Sequence, residues 1–287
     1  MKKKNNMYIY LLFIVAIIAI HFTLNNINPF DAIFNHITTN IKMGEYADQT
    51  HKYTAVIIEP RKHSALEFVL NNFLENLDER WDIILFHGNL NKEYAEDIIE
   101  TKLQKYKDRI KLVNLKIDDM KSHYEYSSLL ISKELYDHIP TEMFLVFQTD
   151  TVICSKYKDY IYKFMEYDYV GSPTIGPPPW NDEGAVGNGG LSLRRKSKMV
   201  EIIDKCKVRE NDTSTYRDDL RYEDLFFAFP CDKVTEFKKP NIEDAKEFAM
   251  EKIYSEKTFG LHKAYAYQDV NKIKMWCPEI SKLQELQ

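Results

Sequence analysis

Residues 144–150 read FLVFQTD and end an apolar run on three polar side chains. The first four residues form the uninterrupted apolar run that is typical of a strand buried on both faces of a sheet. Gln148, Thr149 and Asp150 follow, so this strand delivers a carboxylate to its carboxyl end. Because open α/β sheets bind ligands at the carboxyl ends of their strands, the stretch predicts a binding site around Asp150.

Strands and helices alternate before this stretch. Three earlier segments have the composition of strands: Tyr53 to Glu59, Asp82 to Phe86 and Lys111 to Leu115. Apolar residues at helical spacing follow each of them, and we expect Ser64 to cap the first of these helices and Asp118 or Asp119 to cap the third. Repeated βα units predict an α/β fold with a Rossmann-type, mostly parallel sheet and helices on both faces.

The pattern is less regular after Asp150. Tyr157 to Met165 has helical spacing, and Tyr167 to Val170 has the composition of an extended segment. Pro173 to Gly184 is predicted to be a loop, because three successive prolines cannot continue a helix. No internal repeat appears in the sequence.

The N-terminus is predicted to be a membrane anchor. Met7 to Leu24 carries no formal charge, and a helix of this length spans about 27 Å, close to the hydrocarbon thickness of a thin bilayer. Three lysines precede the segment and none follows it through Phe30, a distribution that predicts an N-terminus in the cytoplasm. The alternative is a cleaved signal peptide, although the residues after the apolar run are poor cleavage residues.

This topology predicts a single-pass type II membrane protein. Residues 1–24 would be the cytoplasmic tip and signal anchor, 25–52 a stem, and 53–287 a body in the lumen of the endoplasmic reticulum or Golgi, or otherwise outside the cytoplasm. Asn211 begins a glycosylation sequon that is usable only in a lumenal body. The three lysines at residues 2–4 are the only charges before residue 25, so the rest of the chain carries −8 against −5 overall. An acidic body argues against a nucleic-acid partner.

Four cysteines have no CxxC spacing: Cys154, Cys206, Cys231 and Cys277. This spacing argues against a structural zinc site. In a lumenal domain they are free to form one or two disulfides, and the spacing does not choose among the pairings.

A glycine-rich segment, residues 187–194 (GNGGLSLR), precedes an alternating, strand-like run. It is neither the dinucleotide fingerprint, which opens a helix, nor a phosphate loop, which ends in Gly-Lys-Ser/Thr. Gly189 and Gly190 either form a turn or bulge, or leave a wall of bare backbone against which a ligand ring can lie. In the second case Asn188 would offer that ligand both a donor and an acceptor.

Two further sets of residues have side chains that can take part in catalysis or in binding a metal or a diphosphate. Glu223 and Asp224 open an apolar helix, where acidic residues are favoured by the helix dipole alone, but a carboxylate there can also act as a general base. His262 and Lys263 are either structural or supply a metal ligand and a cation for a diphosphate. Asp150 is either a helix cap or turn former, or a metal ligand. The second role is possible because Mg²⁺ or Mn²⁺ is held by one or two carboxylates together with substrate phosphates.

Five blocks in a fixed order carry a family resemblance: FQTDTVIC, YDYVGSP, GNGGLSLR, YEDLFFA, and AKEFAMEKIY with FGLHK. Across about residues 53–265 the chain resembles a glycosyltransferase-like family, whose domain has no assigned function, related to the GT-A nucleotide-sugar transferases. The resemblance implies a GT-A-like fold and a hexosyltransferase-like enzyme that transfers a sugar from a nucleotide-sugar donor, such as a UDP-sugar, to a glycan or protein acceptor.

By the same resemblance, Asp150 matches the last Asp of the DxD metal motif, and His262 matches a late ligand of Mn²⁺ or Mg²⁺. Gln148 stands where the motif has its first Asp, which puts metal affinity in question. Asp224 or Glu223 would be the base. The residues that would contact donor or acceptor are Glu59, Arg61, Gln148, Thr149, Trp180, Asn188, Gly189, Gly190 and Lys263.

Trp180 would stack on a sugar or pack its loop down, the latter being the more frequent role. The sequence is also compatible with two alternatives to sugar transfer. A non-catalytic protein that binds sugars or nucleotides can have the same fold. A nucleotidyltransferase would be expected to surround its triphosphate with more basic residues than this acidic body contains.

Overall fold

A six-stranded sheet organises the part of the chain that the computed structural model describes, residues 52–175, 185–206 and 222–287. In sheet order its strands are β3 (Ile110–Asn114), β2 (Trp81–His87), β1 (Tyr53–Ile58), β4 (Met143–Phe147), β9 (Leu191–Arg195) and β6 (Tyr169–Gly171). β1 pairs in parallel with β2 and β4, and β2 with β3, whereas β9 runs antiparallel to its neighbours β4 and β6. The predicted mostly parallel sheet is confirmed.

Two smaller sheets flank this one. The first contains β5 (Thr151–Ile153), β10 (Ala249–Met250) and β11 (Gly260–His262), with β11 between the other two. β11 is antiparallel to β5, and the register places His262 opposite Thr151. The second pairs β7 (Pro173–Thr174) with β8 (Ala185–Val186). Since β5 begins directly after Asp150, the first small sheet brings a late segment of the chain to the end of β4.

Nine α-helices lie within the described ranges: α1 (Leu66–Asn76), α2 (Lys92–Asp97), α3 (His123–Ile131), α4 (Lys133–Asp137), α5 (Lys196–Lys205), α6 (Glu223–Ala228), α7 (Ile242–Ala245), α8 (Val270–Ile273) and α9 (Glu279–Glu285). A π-helical turn at Ile98–Lys102 extends α2, and 3₁₀ helices occupy Gln104–Arg109, Ser155–Phe164 and Ala264–Ala266. The helix predicted at Tyr157 to Met165 is therefore present in 3₁₀ form.

Helices cover both faces of the central sheet, as predicted. Phe144 and Val146 of β4 are fully buried in a cluster with apolar residues of α3, α4, α5 and α6. On the opposite face Phe147 stacks on Phe73 of α1, with ring centroids 3.8 Å apart. Each of these large side chains contributes about 1.5–3 kcal/mol by burial. This two-sided burial explains why β4 is apolar at every position.

The predicted helix caps are wrong. α1 begins at Leu66 after Ala65, and the hydroxyl of Ser64 instead donates to the carbonyl of Leu286 at 2.6 Å. α3 is capped by Ser122, whose Oγ accepts from the amide of Glu125 at 3.2 Å. A capping side chain must stand directly before the first helical residue, on extended backbone. Ser122 meets that condition.

Asp118 and Asp119 lie too far before α3 to cap it. Oδ1 of Asp118 accepts a hydrogen bond from Nδ2 of Asn89 at 2.9 Å, and Oδ1 of Asp119 accepts from the amide of Met120 at 2.7 Å. The loop predicted at Pro173 to Gly184 also begins later than expected, because Pro173 and Thr174 form β7. Residues 176–184 of that loop lie outside the described ranges.

All four cysteines form disulfides: Cys154 with Cys277, and Cys206 with Cys231. The first bond joins the end of β5 to the start of α9, across 123 residues of sequence. The second joins the end of α5 to the segment after α6. These bonds decide between the pairings that the spacing leaves open.

No helix within the described ranges is long and apolar enough to cross a membrane. The predicted anchor at Met7 to Leu24, residues 25–51 of the predicted stem, and the Asn211 sequon lie outside those ranges. Trp180 lies outside them as well.

Candidate functional site

The end of β1 carries a buried carboxylate that holds an exposed guanidinium. Glu59 is buried, and its two oxygens accept hydrogen bonds from Nε and Nη2 of Arg61, both at 2.8 Å. These hydrogen bonds raise the pKa of Arg61. Oγ1 of Thr149 donates to the same carboxylate at 3.4 Å, which joins the ends of β1 and β4. Because the Arg61 side chain is 59% exposed, its remaining donors are available to an anionic ligand.

A cavity of about 340 Å³ lies at these strand ends. Its lining consists of residues 58–61 after β1, residues 120–123 before and at the start of α3, Tyr126 within α3, and residues 148–150 after β4. The volume lies in the range of small-molecule sites. The structure thus brings together five of the predicted site residues at one cavity: Glu59, Arg61, Gln148, Thr149 and Asp150.

His262 lies against Asp150, which lines this cavity. Nε2 of His262 is 3.5 Å from Oδ1 of Asp150, which is buried and accepts no hydrogen bond from any described residue. The two segments are held together by the pairing of β11 with β5 and by the amide of Lys263, which donates to the carbonyl of Asp150 at 2.9 Å. The side chain of Lys263 is exposed beside them.

A carboxylate oxygen suits Mn²⁺ or Mg²⁺, and of these two cations Mn²⁺ accepts an imidazole nitrogen more readily. Oδ1 of Asp150 is buried without a hydrogen-bond donor although the side chain is 21% exposed, and a cation would satisfy this oxygen, since a buried polar atom without a partner is unfavourable. No group of three or more metal-ligating side chains occurs among the residues that the structure describes. Asp150 and His262 provide two ligands, so a cation held by them would need its other ligands from phosphate oxygens and water.

Gly189 and Gly190 make room for two functional side chains. A Cβ atom at Gly190 would lie 2.1 Å from Nε2 of His262, and one at Gly189 would lie 1.7 Å from Oε1 of Glu223. Both distances are far below van der Waals contact. The glycines thus allow His262 and Glu223 to approach the backbone before β9, which is a physical reason for glycine at these positions.

Asn188 uses its amide inside the protein. It has a left-handed backbone with φ 71°, a conformation that Asn tolerates better than most residues. Its Oδ1 accepts from the amide of Gly190 at 3.1 Å, and its Nδ2 donates to Oε2 of Glu251 at 2.9 Å. Asn188 is buried, so these contacts fix the glycine segment in place.

Glu223 forms a buried ion pair. Its Oε2 is 2.7 Å from Nη1 of Arg194, which is fully buried in β9. Burial opposes the charge of Arg194, but the neighbouring Glu223 outweighs this effect and raises the pKa of the guanidinium. Arg194 also donates from Nε to Oγ of Ser192 at 2.8 Å. Glu223 therefore serves as the counter-ion of a buried arginine.

Asp224, the next residue, has different surroundings. Its side chain is closely surrounded by protein yet partly accessible, and its Oδ1 accepts from the amide of Leu225 at 2.9 Å. Burial, and then the neighbouring charge of Glu223, raise the pKa of Asp224 to about 7. A carboxyl group with a pKa near neutrality can take up or release a proton at physiological pH.

Three residues of this region were not singled out from the sequence. Arg194 lies in the strand LSLRR, where polar and apolar residues alternate, and the sequence does not show which of the two adjacent arginines is buried and needs a counter-ion. Glu251 lies within the AKEFAMEKIY block that contributes to the family resemblance. Tyr126 lines the cavity, and burial raises its pKa, but its sequence position shows only helical spacing.

Several solved structures are similar to part of the chain. Mannosyltransferase PcManGT from Pyrobaculum calidifontis, in complex with GDP-Man and Mn²⁺, aligns at 10% identity with a TM-score of 0.40 over 62% of this chain and 51% of that chain. The glycosyltransferase GlyE of Streptococcus pneumoniae TIGR4 aligns at 14% identity with a TM-score of 0.40, over 62% of this chain and 44% of that chain. HddC from Yersinia pseudotuberculosis aligns at 13% identity with a TM-score of 0.35, over 52% of this chain and 79% of that chain. The chain spans about half the length of the first two.

A search of curated proteins found no match to the sequence. A family model described as "Protein of unknown function (DUF5672)" matches residues 109–262, which is more than half of the 287 residues. The matched segment begins before β3 and ends at His262, so it includes Asp150, the glycine segment and the acidic pair of α6. This match confirms the predicted resemblance to a family whose domain has no assigned function. The chain belongs to the DUF5672 family.

Proposed function

We propose that the protein is a glycosyltransferase that transfers a sugar from a nucleotide-sugar donor to a hydroxyl group of a glycan or protein acceptor. The observation that carries this proposal is the cavity at the ends of β1 and β4. The exposed guanidinium of Arg61 lies on its β1 side, and Asp150 with its unpaired oxygen facing His262 lies on its β4 side. A cationic side chain and a cation site at one small cavity suit a diphosphate ester.

Asp150 and His262 would hold a divalent cation, Mn²⁺ or Mg²⁺. Such a cation, when bound, neutralises the charge that develops on a leaving diphosphate. Gln148 adds no charge here, which leaves Asp150 as the acidic residue of the QTD segment. This is the reason to expect weak cation binding without the nucleotide, whose phosphates would complete the set of ligands.

Arg61 would bind the diphosphate of the donor. Its two hydrogen bonds to Glu59 fix the plane of the guanidinium and leave the other donors for phosphate oxygens. Lys263, exposed next to His262, would provide a second positive charge. Gln148 and Thr149 at the cavity wall offer hydrogen bonds to a ribose, and a UDP-sugar is the first donor to test.

Asp224 would act as the general base. Its carboxylate would accept the proton of the acceptor hydroxyl as that oxygen bonds to the anomeric carbon and the bond to the diphosphate breaks. The two acids of α6 differ in how they support this role. Glu223 is occupied by Arg194, whereas Asp224 is partly accessible and its raised pKa of about 7 matches a base that works at neutral pH.

We also propose that the body lies outside the cytoplasm, held by the N-terminal segment in type II orientation. The lysine asymmetry around Met7 to Leu24 supports this topology. The two disulfides support it independently, because such bonds persist in oxidising compartments and are rare in the cytosol.

The test uses the full-length protein in detergent, with a panel of nucleotide sugars and Mn²⁺. The proposal predicts release of nucleoside diphosphate for at least one donor, together with transfer of labelled sugar to an acceptor. Asp118→Asn is a matched control, because Asp118 also follows a strand but is exposed and bonded to Asn89. Saturable nucleotide-sugar binding without any release or transfer would instead favour the non-catalytic binding protein.

A further inference from the structure

Glu251 is a buried carboxylate next to His262. It follows β10 directly, and β10 runs parallel to β11 with Met250 aligned to Leu261. The next residue along each strand is Glu251 and His262, so the register of two short strands sets these side chains next to each other. Glu251 is only 7% exposed.

Few groups compensate the charge of Glu251. No lysine or arginine within the described ranges forms an ion pair with it. Its Oε2 accepts from Nδ2 of Asn188 at 2.9 Å, and its Oε1 lies 3.7 Å from Nδ1 of His262. Because a buried carboxylate is unfavourable without donors, the second oxygen favours a proton on the imidazole nitrogen that faces it.

The imidazole of His262 lies between two carboxylates. Nδ1 faces Glu251 at 3.7 Å, and Nε2 faces the unpaired oxygen of Asp150 at 3.5 Å. A proton on Nδ1 is attracted by Glu251 and leaves the lone pair of Nε2 directed towards Asp150. At 3.7 Å the attraction acts through charge, since the separation is longer than a hydrogen bond.

We propose that Glu251 is a positioning residue for His262. Its carboxylate keeps the ring proton on Nδ1 and thereby presents Nε2, together with Asp150, to a divalent cation. Carboxylates commonly orient metal-binding histidines through the ring nitrogen that does not bind the metal. This inference rests on the proposed function, because it concerns the histidine that would hold the cation.

Glu251 also couples this histidine to the glycine segment. Through Asn188 it fixes the segment that contains Gly190, and the ring of His262 fills the space beside Gly190. A substitution at Glu251 therefore removes the carboxylate that faces Nδ1 of His262, and it also removes the hydrogen bond through Asn188 that fixes the backbone around Gly190 next to the ring.

The first test measures Mn²⁺ affinity of the full-length protein in the presence of nucleoside diphosphate, by electron paramagnetic resonance of free Mn²⁺. Glu251→Ala should weaken binding by about 10- to 100-fold, the usual range for such an orienting carboxylate. Glu251→Gln, which fills the same space, should cause a smaller loss. The control is Glu247→Ala, because Glu247 lies in the same segment but is 41% exposed and pairs with Lys163 at 2.7 Å.

A double-mutant cycle distinguishes positioning from a general structural role. If Glu251 acts through His262, Glu251→Ala should add little loss of Mn²⁺ affinity to the loss caused by His262→Ala. Independent, additive losses would overturn the inference. So would a Glu251→Ala protein that binds Mn²⁺ within twofold of wild type while His262→Ala binds it much more weakly.

The second test does not require a metal. Nitrogen-15 spectra of labelled imidazoles, with the His262 signals assigned by their absence in His262→Asn, report which ring nitrogen is protonated. We expect Nδ1 to be protonated in wild type and less so in Glu251→Gln. An unprotonated Nδ1 in wild type overturns the inference. A wild-type protein that binds no Mn²⁺ with any nucleotide contradicts the proposed cation, and the spectrum alone then decides the role of Glu251.

Discussion

The ring of His262 occupies the space that a side chain at residue 190 would need. A Cβ atom at Gly190 would lie 2.1 Å from Nε2 of His262, the same nitrogen that faces Asp150. The glycine segment, the end of β4 and the strand β11 thus meet at one atom. This contact explains why a glycine precedes β9 at the point where the proposed cation site is assembled.

The contact predicts that Gly190→Ala displaces His262. The added methyl group should lower the free energy of unfolding by about 1–3 kcal/mol, as overpacking does elsewhere. In a His262→Ala background the same substitution should be nearly neutral, because the clashing ring is gone. Chemical denaturation of the four proteins measures the difference. Equal destabilisation in both backgrounds would show that the ring is not the obstacle.

The two acids of α6 should differ in what they do for stability. Glu223→Gln removes the counter-ion of a fully buried arginine and should lower the free energy of unfolding by about 3–5 kcal/mol. Asp224→Asn should have little effect or stabilise the protein at neutral pH, because it removes a carboxylate that burial and Glu223 disfavour. Urea denaturation at pH 7 compares them. Small and equal losses would mean that both acids serve only the helix dipole.

Asp224 should also leave a signature in the pH dependence of stability. Its pKa is about 7 in the folded protein against an ordinary value of 3.8, so the folded state binds the proton more tightly. This contribution to stability is present below about pH 4 and is lost as the pH rises to about 7. Asp224→Asn should lack that loss. Parallel curves for wild type and variant between pH 4 and 7 would refute the raised pKa.

Catalysis requires a deprotonated Asp224. Activity should therefore change with pH in the direction opposite to that of the stability contribution of Asp224. Activity should rise with pH up to about 7 and then level off. Asp224→Asn should lower transfer by about 10²- to 10⁴-fold, leave donor binding nearly unchanged and remove this dependence. If transfer by the variant stays within a few-fold of wild type, the base lies elsewhere or the reaction does not use one.

The proposed topology makes Asn211 a glycosylation site. Expression of the full chain in a eukaryotic secretory system should give a glycosylated protein, and Asn211→Gln should abolish the shift in electrophoretic mobility. Protease treatment of intact microsomes provides the control, since a lumenal body is protected. A body that is digested and carries no glycan would place residues 53–287 in the cytoplasm.

The central sheet is predictable from the sequence because each of its parallel strands is marked by its own short run of apolar residues. The apolar runs of β1 and β4 follow directly from burial on both faces, and polar residues after each run mark the edge where the cavity lies. The predicted helix caps are wrong, since Ser64 lies two residues before the start of α1, and Asp118 and Ser122 both precede α3 but only Ser122 stands directly before its first residue. Local composition does not contain that choice.

The parts of the site that depend on distant contacts were not predictable from residue patterns alone. The Arg194 and Glu223 pair joins a strand to a helix 29 residues later, and four cysteines allow three pairings. His262 was predicted as a metal ligand from resemblance, but its contact with Gly190 depends on the register of β11. Glu251 was not recognised because an acidic residue after an apolar pair is typical of any exposed strand end.

Release of nucleoside diphosphate from a nucleotide sugar, measured with Mn²⁺ varied, tests the role of Asp150 when wild type is compared with Asp150→Asn and the control Asp118→Asn. We expect Asp150→Asn to lose turnover and its response to Mn²⁺ while its melting temperature stays near that of wild type, because Asn keeps the shape of the side chain and Oδ1 of Asp150 accepts no hydrogen bond from any described residue. Asp118→Asn should behave as wild type. An Asp150→Asn protein with full turnover and an unchanged response to Mn²⁺ and EDTA would contradict the account.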